Sequence, residues 1–99
     1  MRLTLTRSGG LAGVLPRPVA LDTATLPRAV ARRLEKLVAT VDFFNLPPRM
    51  AARTRQPDRW QFTLSIISNE GREHTVTCDE EAATEPLLEL IRAVQQATR

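Results

Sequence analysis

A chain of 99 residues with a net charge of +3 and 42% hydrophobic content has material for one modest core, which excludes a second domain and leaves little depth for an active site. Its charged fraction of 25% is that of a globular domain and not of a disordered tail, and no apolar run approaches the ~20 residues of a membrane span. Cys78 is the single cysteine and residues 1–7 lack the continuous apolar core of a secretory signal, so the expected location is the cytoplasm.

Residues 2–8 alternate apolar and polar, which predicts a strand with Leu3 and Leu5 inward and Arg2, Thr4 and Thr6 outward. Ser8-Gly9-Gly10-Leu11-Ala12-Gly13 follows. Glycines packed this densely mark a turn through backbone angles closed to most residues, and Leu11 stands among them as an isolated apolar side chain. The pattern serves a tight hairpin or a recognition loop equally well. Residues 14–22 read as a second strand, with Leu15, Val19 and Leu21 on one face. Pro16 and Pro18 lie two apart, so the amide hydrogens they lack point to one side, and that side is expected to be a sheet edge.

Thr25 offers an N-cap before Leu26 and Pro27. Leu26, Val30, Leu34, Leu37, Val38 and Val41 recur at helical spacing, while Arg28, Arg32, Arg33 and Lys36 occupy the remaining surface; this is the pattern of a helix lying on a sheet. Phe43 and Phe44 extend the apolar surface, and Leu46-Pro47-Pro48 ends the helix. Residues 49–58, with Arg49, Arg53 and Arg55, show no period and read as an exposed loop.

Trp60, Phe62, Leu64 and Ile66 alternate with polar residues and are expected in the core of the next strand. His74, Val76 and Cys78 alternate likewise. Between them Asn69-Glu70-Gly71 suits a three-residue hairpin loop with Gly71 left-handed. Pairing Ser68 with Arg72 sets Ile66 opposite His74, Leu64 opposite Val76 and Phe62 opposite Cys78, whereas a slip of one residue sets them against glutamate and threonine. Thr84, Glu85 and Pro86 then open a second helix with a stripe of Leu87, Leu88, Ile91 and Val94. The order ββαββα predicts a single α+β domain over residues 1–99, a four-stranded, mainly antiparallel sheet with both helices on one face.

Catalytic chemistry is thinly supplied. His74 and Cys78 are four residues apart on a strand, about 13 Å at ~3.3 Å each, too far to ligate one metal ion, so no metal or cofactor is expected. A Ser8 and His74 pair lies in no nucleophile motif. The glycine stretch lacks both the lysine of a P-loop and the spacing of a dinucleotide fingerprint. Arg28, Arg32 and Lys36, with Arg49, Arg53, Arg55 and Arg59, could touch phosphates. Asp79, Glu80, Glu81, Glu85 and Glu89 balance much of that charge, so a solvated face is preferred to a nucleic-acid surface.

Four fragments in order, Arg7-Ser8-Gly9-Gly10-Leu11-Ala12-Gly13, Leu21-Asp22, Phe43-Phe44-Asn45-Leu46-Pro47 and Pro57-Asp58-Arg59-Trp60-Gln61-Phe62, together resemble the emfourin family across nearly the whole chain. The departures are Leu11, where phenylalanine is expected, and the prolines at 16 and 18. The resemblance implies a small cytoplasmic non-enzyme, an inhibitor of protealysin-like peptidases, the thermolysin-type zinc enzymes, and a monomer when free. An inhibitor requires a rigid exposed loop and no catalytic groups of its own. Ser8, Gly9, Gly10, Leu11, Ala12 and Gly13 are then the expected peptidase-binding residues, with the 49–59 stretch as the rival contact. A small regulatory module touching nucleic acid through its arginine-rich face is the alternative function.

Overall fold

The described residues form β1 (Arg2–Ser8), β2 (Val19–Asp22), α1 (Arg28–Val41), β3 (Arg49–Met50), β4 (Gln61–Ile67), β5 (Glu73–Asp79) and α2 (Glu85–Ala97), the longer strands on an alternating pattern and the helices on a 3.6-residue one. The structure is a computed structural model, and it describes residues 1–8, 18–50, 61–79 and 82–97. It confirms the α+β class with two helices, and it corrects the sheet. Among the described residues there are five strands in the order β2-β1-β4-β5-β3, and the sheet is mixed, because β3 pairs parallel to β5. Two residues carry no readable period, which is why Arg49 and Met50 read as loop; the Thr77 amide donating to the Pro48 carbonyl at 2.9 Å holds them beside β5.

The β4–β5 register is the expected one, with Ile66 opposite His74, Leu64 opposite Val76 and Phe62 opposite Cys78. Their hairpin closes through the Ser68 amide donating to Arg72 at 2.7 Å and the Gly71 amide donating to Ser68 at 3.0 Å, and Gly71 takes φ +85°. β1 pairs with both β2 and β4. The Thr23 amide donates to the Met1 carbonyl at 2.9 Å. Alternation along the antiparallel ladder then turns the backbone groups of Leu21 and Val19 toward β1 and those of Ala20 and Pro18 outward. β2 is an edge strand, as the proline spacing predicts, and Pro18 lacks an amide hydrogen that no strand uses; Pro16 and Leu15 lie outside the described residues.

Thr25 does not cap α1. The Asp22 carboxylate accepts from the Ala24 amide at 3.0 Å and opens a 3-10 turn over Thr23–Thr25, in which the Thr25 hydroxyl donates to the Asp22 carbonyl at 2.9 Å. The nearer turn takes the threonine, and α1 begins after Pro27 without a side-chain cap. It ends at Asp42, left-handed at φ 56°, ψ 49°. In α2 the buried positions are Leu87, Leu90, Ile91, Ala93 and Val94. The expected stripe is corrected at one position: Leu90 follows the i, i+3, i+4, i+7 face, and Leu88 flanks it half-buried.

One face of the sheet meets both helices. Leu3, Leu5, Phe62, Leu64, Ile66, Val76 and Cys78 form a single cluster with Leu34, Val38 and Val41 of α1, Phe43, and the buried stripe of α2. His74, half-buried, closes one end of it: Nε2 lies 2.8 Å from the Leu46 carbonyl, so that nitrogen donates, and the ring meets Phe43 edge-on with centroids 5.6 Å apart. The opposite face is a lattice of small hydroxyls. Thr4, Ser65 and Thr75 form one row and Thr6, Thr63 and Thr77 the next, with 2.7 Å between Ser65 Oγ and Thr75 Oγ1 and 3.2 Å between Thr63 and Thr77 Oγ1.

Candidate functional site at the loop-bearing end of the sheet

β1 ends at Ser8, β4 begins at Gln61 and β5 ends at Asp79, and these three residues stand in one row, Ser8 opposite Gln61 and Gln61 opposite Asp79. The Gln61 side-chain amide donates to Asp79 Oδ1 at 3.0 Å. Met50, at the end of β3, stands beside Cys78. Connectivity then attaches residues 9–17, 51–60 and 80–81 to the same end of the sheet. The glycine stretch and the arginine-rich stretch, which the sequence sets up as rival contact elements, are therefore joined to paired residues, one after Ser8 and the other before Gln61. The glycine stretch also joins β1 to its own antiparallel neighbour, β2.

Of the six predicted contact residues, Ser8 is placed, its backbone in the β1–β4 ladder. Gly9, Gly10, Leu11, Ala12 and Gly13 lie outside the described residues, as do Trp60, Arg53, Arg55 and Arg59. Alternation reveals which face of a strand is inward but not which strand lies beside it, so the neighbourhood of Ser8 and Gln61 was hidden in the sequence. The signal that could have found it is the match of Leu3 with Ile66 and Leu5 with Leu64 across β1 and β4.

Nucleophilic chemistry finds no support in this geometry. His74 shares a row with Leu3 and Ile66, five residues along β1 from Ser8, about 17 Å at ~3.3 Å per residue. That separation agrees with the sequence, which places the Ser8 and His74 pair in no nucleophile motif. Cys78 is buried, and its thiol is pushed up to about 11, first by loss of water and then by the neighbouring Asp79 charge. It keeps its proton at neutral pH and packs as a small apolar residue. No group of three His, Cys, Asp or Glu side chains suited to a metal ion occurs among the described residues. Among the described residues no helix is long and apolar enough to cross a membrane.

A family model described as Emfourin matches residues 5–95. The chain belongs to the emfourin family. Membership implies a metallopeptidase-inhibitor role and agrees with a domain that is not itself an enzyme. The matched span includes residues 9–17 and 51–60. Comparison with curated proteins and with solved structures yields no significant match.

Proposed function

We propose that this emfourin inhibits a protealysin-like, thermolysin-type zinc metallopeptidase by seating residues 8–13 in the active-site cleft. The observation that carries the reading is the pairing of Ser8 with Gln61, which fixes the start of the glycine stretch to the middle of a five-stranded sheet. A loop anchored by two paired strands has little ordering entropy to lose on binding. Leu11 supplies the bulky apolar group that such enzymes prefer just after the scissile bond, and the bare backbone at Gly9 and Gly10 allows close approach to the enzyme's zinc. Resistance to cleavage follows from the same anchoring, because the peptide cannot reach the geometry of attack. The protein acts as a cytoplasmic monomer in this reading, where an unpaired Cys78 suits a reducing compartment.

Titration against protealysin-like and thermolysin-like enzymes with a fluorogenic peptide tests it. Near-stoichiometric inhibition without consumption of the inhibitor is the expected result. Unchanged hydrolysis across a panel that includes a peptidase from the protein's own source sinks the reading.

One observation favours a second function. Arg28, Arg32, Arg33 and Lys36 are all exposed on α1, and none makes an ion pair with a described residue. A regulatory module that touches nucleic acid through this helix shows an affinity for DNA or RNA that falls linearly with the logarithm of salt concentration. A purely inhibitory protein shows no mobility shift at all.

A further inference from the structure

Where the first half of α1 lies beside the last turn of α2, the two helices leave a groove of about 330 Å³ lined by Ala29, Val30 and Arg33 on one side and Ala93, Gln96 and Ala97 on the other. The space exists because alanine occupies three of those positions, so the helix surfaces approach without side chains long enough to fill it. Arg33 is the one charged residue in the lining among the described residues. Its guanidinium is exposed and makes no ion pair with a described residue. Arg32 precedes it on the same helix, and the acids nearest the lining are Glu35, two residues after Arg33, and Glu89, one turn before Ala93 on α2. The groove is therefore apolar in its walls, with the Arg33 guanidinium as the charge that lines it.

We propose that this groove binds a medium-chain carboxylate, with the alkyl chain against Ala29, Val30 and Ala93 and the carboxylate on Arg33. The volume lies at the lower end of the range that holds small ligands, which suits a single alkyl chain. Burying that chain removes apolar surface from water on both sides at about 25 cal/mol per Å². The planar guanidinium meets a carboxylate with two parallel hydrogen bonds, and the Gln96 amide offers a further donor nearby. An alkyl ammonium meets repulsion from Arg33, and an alkyl alcohol leaves the guanidinium without a counter-charge. This site is separate from the loop-bearing end of the sheet and owes nothing to the peptidase reading.

The test is a titration of the full chain with sodium decanoate, below its micelle-forming concentration, followed by amide proton–nitrogen correlation spectra. The expected result is saturable shifts confined to the amides of residues 29–34 and 93–97, with decanol and decylammonium binding at least about tenfold more weakly, roughly 1.4 kcal/mol. Arg33→Gln is expected to bring decanoate down to the level of decanol, and Ala29→Leu, which fills the mouth from an exposed helical position, to abolish binding of both. Thermal melts of the two variants establish that each is folded. Shifts scattered over the surface without saturation, equal affinity for decanoate and decanol, or indifference to both substitutions each overturn the proposal.

Discussion

Ser8 and Gln61 are direct partners across β1 and β4, so the glycine stretch and the arginine-rich stretch depart from adjacent strands at one end of the sheet. Leu11→Asp tests which of them makes the main contact. Normal melting with inhibition lost by tenfold or more, about 1.4 kcal/mol, is the outcome expected of a contact residue. A destabilised variant instead assigns Leu11 to the core, and a variant that folds and inhibits like the parent transfers the role to residues 49–59.

Phe62 stands one residue from that rim and is 8% exposed. Phe62→Ala is expected to cost about 3–5 kcal/mol of stability and to leave inhibition intact under conditions where the variant is folded. Trp60 continues the same alternation, and Trp60→Ala is expected to lower the melting temperature before it alters binding. A variant at either position that melts normally but no longer binds identifies a contact residue.

His74→Ala removes the donor that satisfies the Leu46 carbonyl and the ring that meets Phe43. The expected loss is about 1–3 kcal/mol for the orphaned acceptor, read from denaturant midpoints at unchanged m-value. Inhibition by the folded fraction stays the same, since the row of His74 lies at the other end of the sheet from Ser8.

Asp42 combines a left-handed backbone with a negative charge at the C-terminal end of α1, where the helix dipole disfavours it. Against this stands a hydrogen bond from the Asn45 side chain at 2.8 Å, which is exposed and of small net worth. Asp42→Gly is expected to raise stability by about 0.5–1 kcal/mol. Asp42→Asn, which keeps the left-handed preference and drops the charge, is expected to recover part of the gain. A lowered melting temperature in both variants contradicts this balance.

Cys78 gives the domain an alkaline limit. Its pKa rises from 9.0 to about 11 on folding, so above pH 9 the unfolded chain releases a proton that the folded chain retains. Stability is therefore full below pH 9 and falls as the pH climbs toward about 11. The expected observation is a decline in melting temperature across that window that is smaller in Cys78→Val, together with slow native-state alkylation of the thiol that becomes fast in denaturant.

Long-period signals made most of this fold legible. The alternation of Phe62, Leu64 and Ile66 against His74, Val76 and Cys78 fixed a register that the structure reproduces pair for pair, because a one-residue slip exposes a whole apolar set. The two prolines marked the sheet edge for a reason of similar strength, a missing donor. What escaped were short-range competitions. Asp22 and Thr25 form a local turn that displaces the start of α1, and β3 is too short for any period to appear. The candidate site was half legible: glycine composition singled out the stretch after Ser8, while its closeness to the stretch before Gln61 depends on a long-range strand pairing that no local pattern encodes.

The hydroxyl-bearing face of the sheet bears on how much of this protein a solution can hold. Sheets laid bare on one side tend to stack, yet here the uncovered side offers threonine and serine, and its large apolar residue Ile67, 37% exposed, stands between Arg2 and Glu73 in the same row. Two copies brought face to face must dehydrate charges and hydroxyls to gain one isoleucine contact. For a reading in which the protein titrates its target one to one, the described part of this face therefore sets a cost against stacking.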